Sequence, residues 1–415
     1  ISHPDNLKDF YETGTTLINN IAIASGFDKG NYRLSFTDLR SESIIPGVNL
    51  DRQTINARLG FRPTEKISIN SSISYINSKS DNRPSNGYGS ENVNYTYFDN
   101  PYFTLLENTN SFNRDRVFGT ISASYEINNH LTATIRTGMD YSSELRQMRR
   151  NFSSNRFSNG AYAEHDVFFR EINTDFLLNY KEAFNAIKVD VSFGGNRLDQ
   201  KAFTSQTQTT SLAQPGIFKL SNAASPIEVF EFESTKRINS FYGIAKFGYQ
   251  NFLYLDLTGR NDWSSALATP FSVDNTSFFY PSASTSFILS EVIDLPKVIS
   301  FAKLRASWAQ VGNDTNPYQT TGAFVAQTPF NGQPTFSNQN TIANPNLKPE
   351  KTTSFEVGTD LRFFDDQLTF DVSYYNALTQ DQIISLPIGI SSGYTQQVVN
   401  GGKVRSKGLE IIVGI

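Results

Sequence analysis

The sequence contains no cysteine, which excludes disulfides and any metal or redox site built on thiolates. It also lacks an apolar run close to the ~18–20 residues that a transmembrane helix needs. This second absence excludes helical spanning only, because the strands of a membrane barrel need just ~9–11 residues each. The formal net charge is only −4, so nothing indicates a polyanion-binding protein, and we expect no nucleic acid partner.

Bulky aliphatic content is low, whereas aromatic content is high. Hydrophobic residues make up 38% of the 415 residues, below the usual share in globular chains, yet 34 Phe and 19 Tyr are present. This balance suits half-exposed strands better than a thick conventional core. The length is compatible with one large all-β architecture.

The clearest local pattern lies between Thr352 and Asn376, where every second residue is apolar. Successive side chains of a strand point to opposite faces, so this alternation predicts strands with one apolar and one polar face. The short polar segment from Asp365 to Gln367 separates two such runs and predicts an antiparallel hairpin. Its apolar positions are Phe355, Val357, Leu361, Phe363, Leu368, Phe370, Val372 and Tyr374.

The same alternation recurs along the chain and predicts roughly 14 strands. The best examples are segments 67–75, 117–127, 131–139, 176–180, 189–193, 241–249, 253–257, 279–289 and 304–308.

The predicted connections between strands come in two sizes. The short ones are 128–130, 250–251 and 365–367, and the long polar ones are 78–101, 204–216 and 313–351. Alternation of short and long connections is typical of outer-membrane barrels, which have short periplasmic turns and long outer loops. A β-sandwich with its polar face in solvent remains the alternative.

Several segments resemble a known family. The stretch "NPNLKPEKTTSFEVGTDLRFF" (Asn344 to Phe364) is similar to the barrel signature of TonB-dependent receptors, in which an Asn-rich loop ends in Leu-x-Pro-Glu before a strand. Four further stretches resemble the SusC/RagA branch of that family, and together they follow the family order over nearly the whole chain. They are "YETGTTLINNIAIASGFDKGNYRLSF", "GRNDWSSAL", "LRASWAQVGNDTNPYQT" and "DQIISLPIGISSGYTQQVVNGGKVRSKGLEI".

This resemblance implies a transmembrane antiparallel up-and-down β-barrel of about 22 strands with a plugged lumen. It also implies residence in the outer membrane of a Gram-negative bacterium, in contact with its lipid. The implied activity is TonB-driven import of oligosaccharides or peptides under a SusD-like surface lipoprotein lid. We expect residues 1–415 to be a portion of the barrel domain with long extracellular loops. The plug that contacts TonB and the last strands would lie outside it. Relative to the family, the stretch from Asn92 to Phe103 looks shorter, as if a segment were missing near Thr96.

Two sets of residues are candidates for a site. The family signature comprises Asn344, Pro345, Leu347, Pro349 and Glu350. Because proline fixes φ and lacks an N–H donor, we interpret this set as structural, marking the start of a strand near Thr352 rather than a ligand contact. The second set, Tyr318, Phe324, Phe330 and Phe336, lies among Gln and Asn in a long connection. Aromatic rings and amides together can stack on and hydrogen-bond to a sugar or a peptide, although they can equally pack the loop or dock a lid.

The sequence offers little catalytic chemistry. Gly389 to Gly393 matches G-x-S-x-G, but all three histidines precede it, whereas that motif needs a later histidine and a helix after the serine. Those histidines lack metal-type spacing, so we expect no metal, no cofactor and no enzymatic activity, which also argues against an outer-membrane protease or lipase. The basic cluster of Arg146, Arg149 and Arg150 could meet lipopolysaccharide or line a lumen, and we interpret it as an exposed solvated cluster.

Overall fold

A computed structural model describes residues 6–82 and 99–415 of the chain. The position near Thr96, where a segment looked to be missing, lies outside the described residues. The chain divides into two compact units. Unit 1 contains Ile1–Ala123, Arg136–Asn173 and Gln200–Thr235, and unit 2 contains Ser124–Ile135, Thr174–Asp199 and Lys236–Ile415.

The main sheet has fifteen strands that are hydrogen-bonded to one another in chain order. The predicted all-β, antiparallel up-and-down architecture is therefore confirmed, with one strand more than expected. A β-sandwich needs two packed sheets, which this strand order does not favour. The strands are β1 (Thr15–Phe27), β2 (Gly30–Glu42), β3 (Asn49–Thr64), β4 (Ile67–Ser80), β5 (Asn110–Glu126), β6 (Leu131–Phe152), β7 (Asn159–Phe184), β8 (Ile187–Thr209), β9 (Glu228–Tyr249), β10 (Leu253–Ser264), β11 (Ser277–Ile288), β12 (Ile299–Asn313), β16 (Glu350–Phe363), β17 (Leu368–Gln380) and β20 (Lys403–Gly414).

Five shorter strands form two small sheets beside it. They are β13 (Phe324–Phe330), β14 (Gln333–Asn338), β15 (Thr341–Ile342), β18 (Ile383–Pro387) and β19 (Gln396–Asn400). The α-helices among the described residues are α1 (Asn6–Phe10) and α2 (Pro101–Leu106). Asn100 caps α2 by accepting a hydrogen bond from the backbone N–H of Tyr102, and Pro101 occupies the first helical position. No helix in residues 6–82 and 99–415 is long and apolar enough to cross a membrane.

In unit 1, strands β1 to β4 pair so that apolar residues share one face. Ile21 lies opposite Phe36, Phe36 opposite Ile55, and Ile55 opposite Tyr75. Strands β2 and β3 approach so closely at Gly30 that a Cβ there would lie 2.1 Å from the carbonyl oxygen of Gly60. Glycine is therefore required at this position, because any side chain would push the two strands apart.

In unit 2, the apolar face carries a row of aromatic rings across strands β7 to β10. Ring centroids are 6.2 Å apart for Phe176 and Phe193, 6.1 Å for Phe193 and Phe241, and 6.2 Å for Phe241 and Trp263. The apolar face of β10 runs from Leu253 to Trp263, which matches the ~9–11 residues of a membrane-crossing strand. Aromatic rows of this kind are found at the level where a membrane meets water.

The hairpin predicted over Thr352 to Asn376 is confirmed as β16 and β17, which are antiparallel with Val357 opposite Tyr374. β16 begins at Glu350, two residues before the predicted start. The turn uses left-handed backbone at Phe364, Asp365 and Asp366, whose φ angles are 54°, 53° and 68°. Asp is among the residues that tolerate this conformation, which accounts for the polar turn.

The alternation of short and long connections is present, but the long ones are more ordered than predicted. β8 continues to Thr209, so the connection placed at 204–216 begins later than predicted. The connection placed at 313–351 contains β13, β14 and β15, and that between β17 and β20 contains β18 and β19. Their Asn-, Gln- and Ser-rich composition indicated loops, yet strand pairing uses backbone groups and tolerates polar residues on both faces where water reaches both.

Candidate functional site

The connection between β12 and β16, residues 314–349, contains all four predicted ligand candidates and most of the family signature. It is fastened at its start by Asp314. The Nζ of Lys236 lies 2.7 Å from Oδ1 of Asp314, and the hydroxyl of Ser264 donates to the other carboxylate oxygen. The side chains of Lys236 and Asp314 are only 17% and 9% exposed. Charges removed from water need each other, so this pair holds the start of the connection to β9 and β10.

The next residues continue that attachment. Lys236 also donates to the carbonyl of Thr315 at 3.2 Å, and the Thr315 hydroxyl donates to Oε1 of Gln319 at 2.6 Å. The Thr320 hydroxyl donates to the carbonyl of Ala268 at 2.7 Å. Residues 314–320 are thus held by side chains and backbone of neighbouring elements rather than by strand pairing.

The signature segment fastens the other end of the connection. Leu347 is fully buried (0% exposed) and packs with Leu267 and Val398, against which Phe278 and Ile383 also pack. A leucine side chain buried in this way contributes ~1.5–3 kcal/mol relative to exposure. Leu267 belongs to the "GRNDWSSAL" stretch and Val398 to β19, so the cluster joins two of the stretches that carried the family resemblance.

Asn400, at the end of β19, clamps the signature segment through its amide. Its Oδ1 accepts from the backbone N–H of Lys348 at 2.8 Å, and its Nδ2 donates to the carbonyl of Lys348 at 2.8 Å. The same Nδ2 donates to the carbonyl of Asp381 at 2.9 Å. A single carboxamide thus satisfies three backbone groups that no strand partner serves.

Glu350 and Asn344 complete the fastening. Oε1 of Glu350 accepts from the backbone N–H of Ile383 at 2.7 Å, and its Oε2 accepts from Nδ2 of Asn313 at 3.3 Å. The backbone N–H of Asn344 donates to the carbonyl of Gln319 at 3.0 Å. Pro349, which cannot donate, stands immediately before β16. We name Asn344, Pro345, Leu347, Pro349, Glu350 and Asn400 the clasp.

The middle of the same connection is a hairpin of β13 and β14. Asn331 and Gly332 form its turn with φ angles of 50° and 73°, the left-handed pair that a two-residue hairpin turn of this type requires. Phe336 lies opposite Ala326, two residues from Phe324, so Phe324 and Phe336 share one face as diagonal neighbours. Phe330 flanks the turn, opposite Gln333.

These aromatic rings are strongly exposed: Phe324 is 74%, Phe330 78% and Phe336 64% exposed. Tyr318 is 54% exposed, has a left-handed φ of 67° and lies before the hairpin. The structure therefore brings Phe324 and Phe336 together and leaves Tyr318 outside the hairpin. The amide of Asn338, which is paired with Phe324, lies on the same face as the two rings, whereas Gln327 donates to the Ser337 hydroxyl at 3.0 Å on the other face. Exposed rings next to amides can stack on and hydrogen-bond to a polar ligand.

The polar face of the sheet in unit 2 carries paired charges. Arg305 binds Asp371 in a two-bond fork, with distances of 2.8 and 2.7 Å. A cavity of about 190 Å³ opens beside this pair. Its lining comprises Tyr254, Asp256, Ser284, Thr285, Ser286, Arg305, Ala306, Ser307 and Glu356. These hydroxyls and charges can hold polar groups.

Other predicted features have structural surroundings. The basic cluster in unit 1 is not simply solvated, because Arg146 pairs with Glu144 at 2.7 Å and Arg150 donates to the carbonyls of Asn108 and Thr109. Burial lowers the pKa of the Arg150 guanidinium, which lies beyond the ~9–11 residues of β6 that a membrane crossing needs. The prediction of an exposed cluster was therefore wrong for Arg150, whereas Arg146 is exposed and forms an ion pair at the surface.

The remaining motif residues also have ordinary partners. His130 occupies the β5–β6 turn, as predicted, and its Nδ1 lies 2.7 Å from Oε2 of Glu182. Within the G-x-S-x-G match, Ile390–Ser392 form one 3-10 turn, and the Ser392 hydroxyl donates to the carbonyl of Gly389 at 2.8 Å. In the described part of the chain, no α-helix follows this turn.

Sequence reasoning missed the residues that hold the site from outside its own stretch. Asn400, Lys236 and Asp314 have no local pattern, because their partners lie 52 and 78 residues away along the chain. A weak signal existed for Asn400, which lies in a stretch quoted for the family resemblance.

The chain is similar to one protein family, to several curated proteins and to several solved structures. The family described as "TonB dependent receptor-like, beta-barrel" matches residues 24–414. "TonB-dependent receptor P26" of Formosa agariphila is 25% identical over 94% of this chain and 42% of its own length. "TonB-dependent receptor SusC" of Bacteroides thetaiotaomicron is 23% identical over 99% of this chain and 46% of its own length. A chain of the "RagAB peptide transporter" superposes with a TM-score of 0.85 at 18% identity, covering 98% of this chain and 49% of that one.

Proposed function

Since this chain belongs to the TonB-dependent receptor-like β-barrel family, we propose that it contributes the barrel wall of a nutrient importer. The family resides in the outer membrane of Gram-negative bacteria. This chain belongs to it and forms a sheet of fifteen strands. It spans less than half the length of the curated relatives that it matches. Import is therefore an activity of the whole protein, to which this portion contributes.

Residues 1–415 form, in this proposal, a portion of the transmembrane domain without a plug. The apolar face of the strands meets lipid. In unit 2, the aromatic row at Phe241 and Trp263 lies where the membrane ends. The connections opposite the short turns, including residues 314–349, lie on the extracellular side.

We assign the energy source and the partner by analogy with the family and its relatives. A plug outside this chain contacts TonB, which drives import. A SusD-like surface lipoprotein closes the extracellular side. Two observations support this proposal: the similarity to SusC, and the fold shared with the RagAB peptide transporter.

The substrate is an oligosaccharide or a peptide, and the β13–β14 hairpin is its contact in this portion. The single observation that carries this assignment is the exposed pair Phe324 and Phe336 on one face of a hairpin whose two ends are fastened. Large rings left uncovered on an ordered support are available for a ligand. The clasp residues act as support and do not touch the substrate.

Uptake by cells that carry the full-length receptor and its lipoprotein tests the import proposal. A labelled malto-oligosaccharide mixture and a labelled tryptic peptide mixture are supplied in turn, with TonB present or deleted. We expect one mixture to accumulate only when TonB is present, and that mixture identifies the substrate class. Accumulation of neither mixture, or accumulation that persists without TonB, contradicts the proposal.

The hairpin assignment has its own test. We expect the double variant Phe324→Ser/Phe336→Ser to bind the accumulated mixture about tenfold more weakly, because two stacking surfaces are lost. Phe271→Ser is the matched control, since this ring is 97% exposed but lies in the connection between β10 and β11. Equal affinity of the double variant and the control removes the hairpin from the site.

No catalytic role is part of this proposal, because the family comprises transporters and receptors rather than enzymes. The alternative, a soluble or surface carbohydrate-binding β-sandwich, is separated by detergent dependence. A full-length protein that stays monodisperse without detergent would falsify the barrel assignment.

A further inference from the structure

One face of strands β12, β16, β17 and β20 is apolar along most of the strands and carries basic residues near one end. Because directly paired residues of antiparallel strands share a face, the register defines rows across this face. One row contains Leu304, Thr359, Val372 and Ile411, and the row two residues further along contains Ala306, Val357, Tyr374 and Leu409. Trp308 and Phe355 are paired in the row that follows. This face is apolar up to its aromatic edge.

Basic residues begin in the row of that aromatic edge and continue beyond it on the same face. Lys407 pairs with Asn376 in the row of Phe355. Arg405 pairs with Leu378 in the next row, and Lys403 pairs with Gln380 in the one after it. Lys351, paired with Gln380 from the other side, completes the group. We name Lys351, Lys403, Arg405 and Lys407 the basic strip.

Among residues 6–82 and 99–415, no acidic side chain pairs with the basic strip. All acidic residues of these four strands lie on the opposite, polar face or at a strand end: Glu350, Glu356, Asp360, Asp371 and Glu410. In the described ranges, none of the four strip side chains takes part in an ion pair or a side-chain hydrogen bond. The neighbours on the same face are the neutral side chains Gln310, Thr353, Asn376, Leu378 and Gln380.

The dimensions of the basic strip suit a lipid headgroup. Neighbouring strands are ~4.8 Å apart, and residues rise ~3.4 Å along a strand. Lys351 and Lys403 are two strands apart, and Lys403 and Lys407 are four residues apart, so the patch measures roughly 10 by 14 Å. Four flexible cationic side chains over this area can surround one or two phosphate groups.

We propose that the basic strip binds the phosphate groups of a glycolipid in the outer leaflet of the membrane. The strip continues the lipid-facing surface and lies just past its aromatic edge, where headgroups lie. Basic residues beside a membrane surface attract anionic lipid headgroups within a Debye length, about 8 Å at physiological salt. A soluble ligand destined for import would instead meet the polar face or the loops.

The basic cluster singled out in the sequence does not offer this chemistry. Arg146 pairs with Glu144, and Arg150 donates to backbone carbonyls and to Oδ1 of Asn110 at 2.9 Å. Both guanidinium groups are engaged by the protein itself. The basic strip differs because its charges have no partner among the described residues and lie on the face that meets lipid.

Native mass spectrometry of the full-length receptor in detergent, with purified bisphosphorylated lipid A as the probe, tests the proposal. The variant Lys351→Gln/Lys403→Gln/Arg405→Gln/Lys407→Gln removes the four charges and keeps polar side chains. We expect its affinity for lipid A to fall about tenfold or more. We also expect dephosphorylated lipid A to bind wild type and variant equally weakly.

The matched control is Lys29→Gln/Arg62→Gln/Lys66→Gln/Lys297→Gln, which removes four positive charges at the β1–β2 and β3–β4 turns and in the β11–β12 connection. We expect it to retain wild-type binding of lipid A. The proposal is overturned if the strip variant binds lipid A as tightly as the control does, or if wild type binds dephosphorylated lipid A equally well. Loss of a co-purifying lipoprotein with unchanged lipid A binding also overturns it, because the strip is then a protein contact.

This inference depends on the membrane placement but not on the import proposal. We expect the strip variant to retain wild-type affinity for the imported mixture, because the four strip residues belong to β16 and β20 and not to the β13–β14 hairpin. A receptor that imports nothing and still binds lipid A through the strip leaves this inference intact.

Discussion

The connection between β12 and β16 is attached to the rest of the protein at its two ends, whereas its middle is exposed. Residues 314–320 and 344–349 are attached to elements far away in sequence, by the ion pair of Asp314, by the hydrogen bonds of Lys348 and by the buried side chain of Leu347. Between them, the β13–β14 hairpin pairs mainly with itself and leaves three phenylalanines exposed. The two regions have similar polar composition, so composition does not distinguish a support from a displayed surface. What distinguishes them is whether distant residues satisfy their polar groups.

The largest expected effect comes from the start of the connection. We expect Asp314→Ala to destabilise this region by about 3–5 kcal/mol, because the mostly buried ammonium of Lys236 loses its partner. Hydrogen exchange of the amides of residues 315–320 in the full-length receptor measures the change. The double variant Lys236→Met/Asp314→Leu is the control and should recover much of the protection. Unchanged exchange in Asp314→Ala would show that this ion pair does not hold the connection.

Leu347→Ala should have the next largest effect. Removing a fully buried leucine side chain costs about 2–5 kcal/mol, which here should weaken the contact with Leu267 and Val398. We expect faster amide exchange and faster proteolysis in β18 and β19. Leu386→Ala, a substitution of an exposed leucine in β18, is the control. Equal protease sensitivity of the two variants contradicts the role assigned to the clasp.

Asn400→Ala should have an intermediate effect of about 1–3 kcal/mol, since the backbone groups of Lys348 and Asp381 lose a shared partner. The Lys348 amide reports this directly through its exchange rate. Asn338→Ala, at the exposed end of β14, should leave that rate unchanged. Protection that survives in Asn400→Ala would mean that the amide is satisfied by another group.

The smallest effect is expected in the middle. Phe336→Ser should change thermal stability by less than about 0.5 kcal/mol, because the ring is 64% exposed and outside any buried cluster among the described residues. Thermal unfolding of the full-length receptor in detergent measures this. A large loss of stability would show that the ring covers a structural surface, and it would weaken the assignment of the hairpin to ligand binding.

Much of the fold could be predicted from the sequence. Alternation in "SFEVGTDLRF" was sufficient to assign the faces of β16. Because successive side chains of a strand point to opposite faces, the apolar residues of this stretch must share one face and the charged residues the other. Prediction was poorer for polar strands. β13, β14 and the end of β8 were taken for loops, because strands surrounded by water need no apolar face.

The candidate site was less predictable. The signature residues around Leu347 could be recognised by resemblance, and their structural interpretation remains a prediction that the variants above test. The four aromatic candidates were selected by composition alone, which could not separate Tyr318 from the hairpin pair. Asn400, Asp314 and Lys236 were missed, because hydrogen bonds across 52 to 78 residues leave no periodic pattern in the sequence.

By itself, the sequence determined the two-faced strands, the short turns and the family, because these depend on neighbours a few residues away. Only the tertiary structure decided which polar residues serve as support and which are displayed. It also decided that four basic residues from β16 and β20 share the apolar face of the sheet. The physical reason is that strand register sets the partner and the face of each side chain, and register arises from pairing between distant segments.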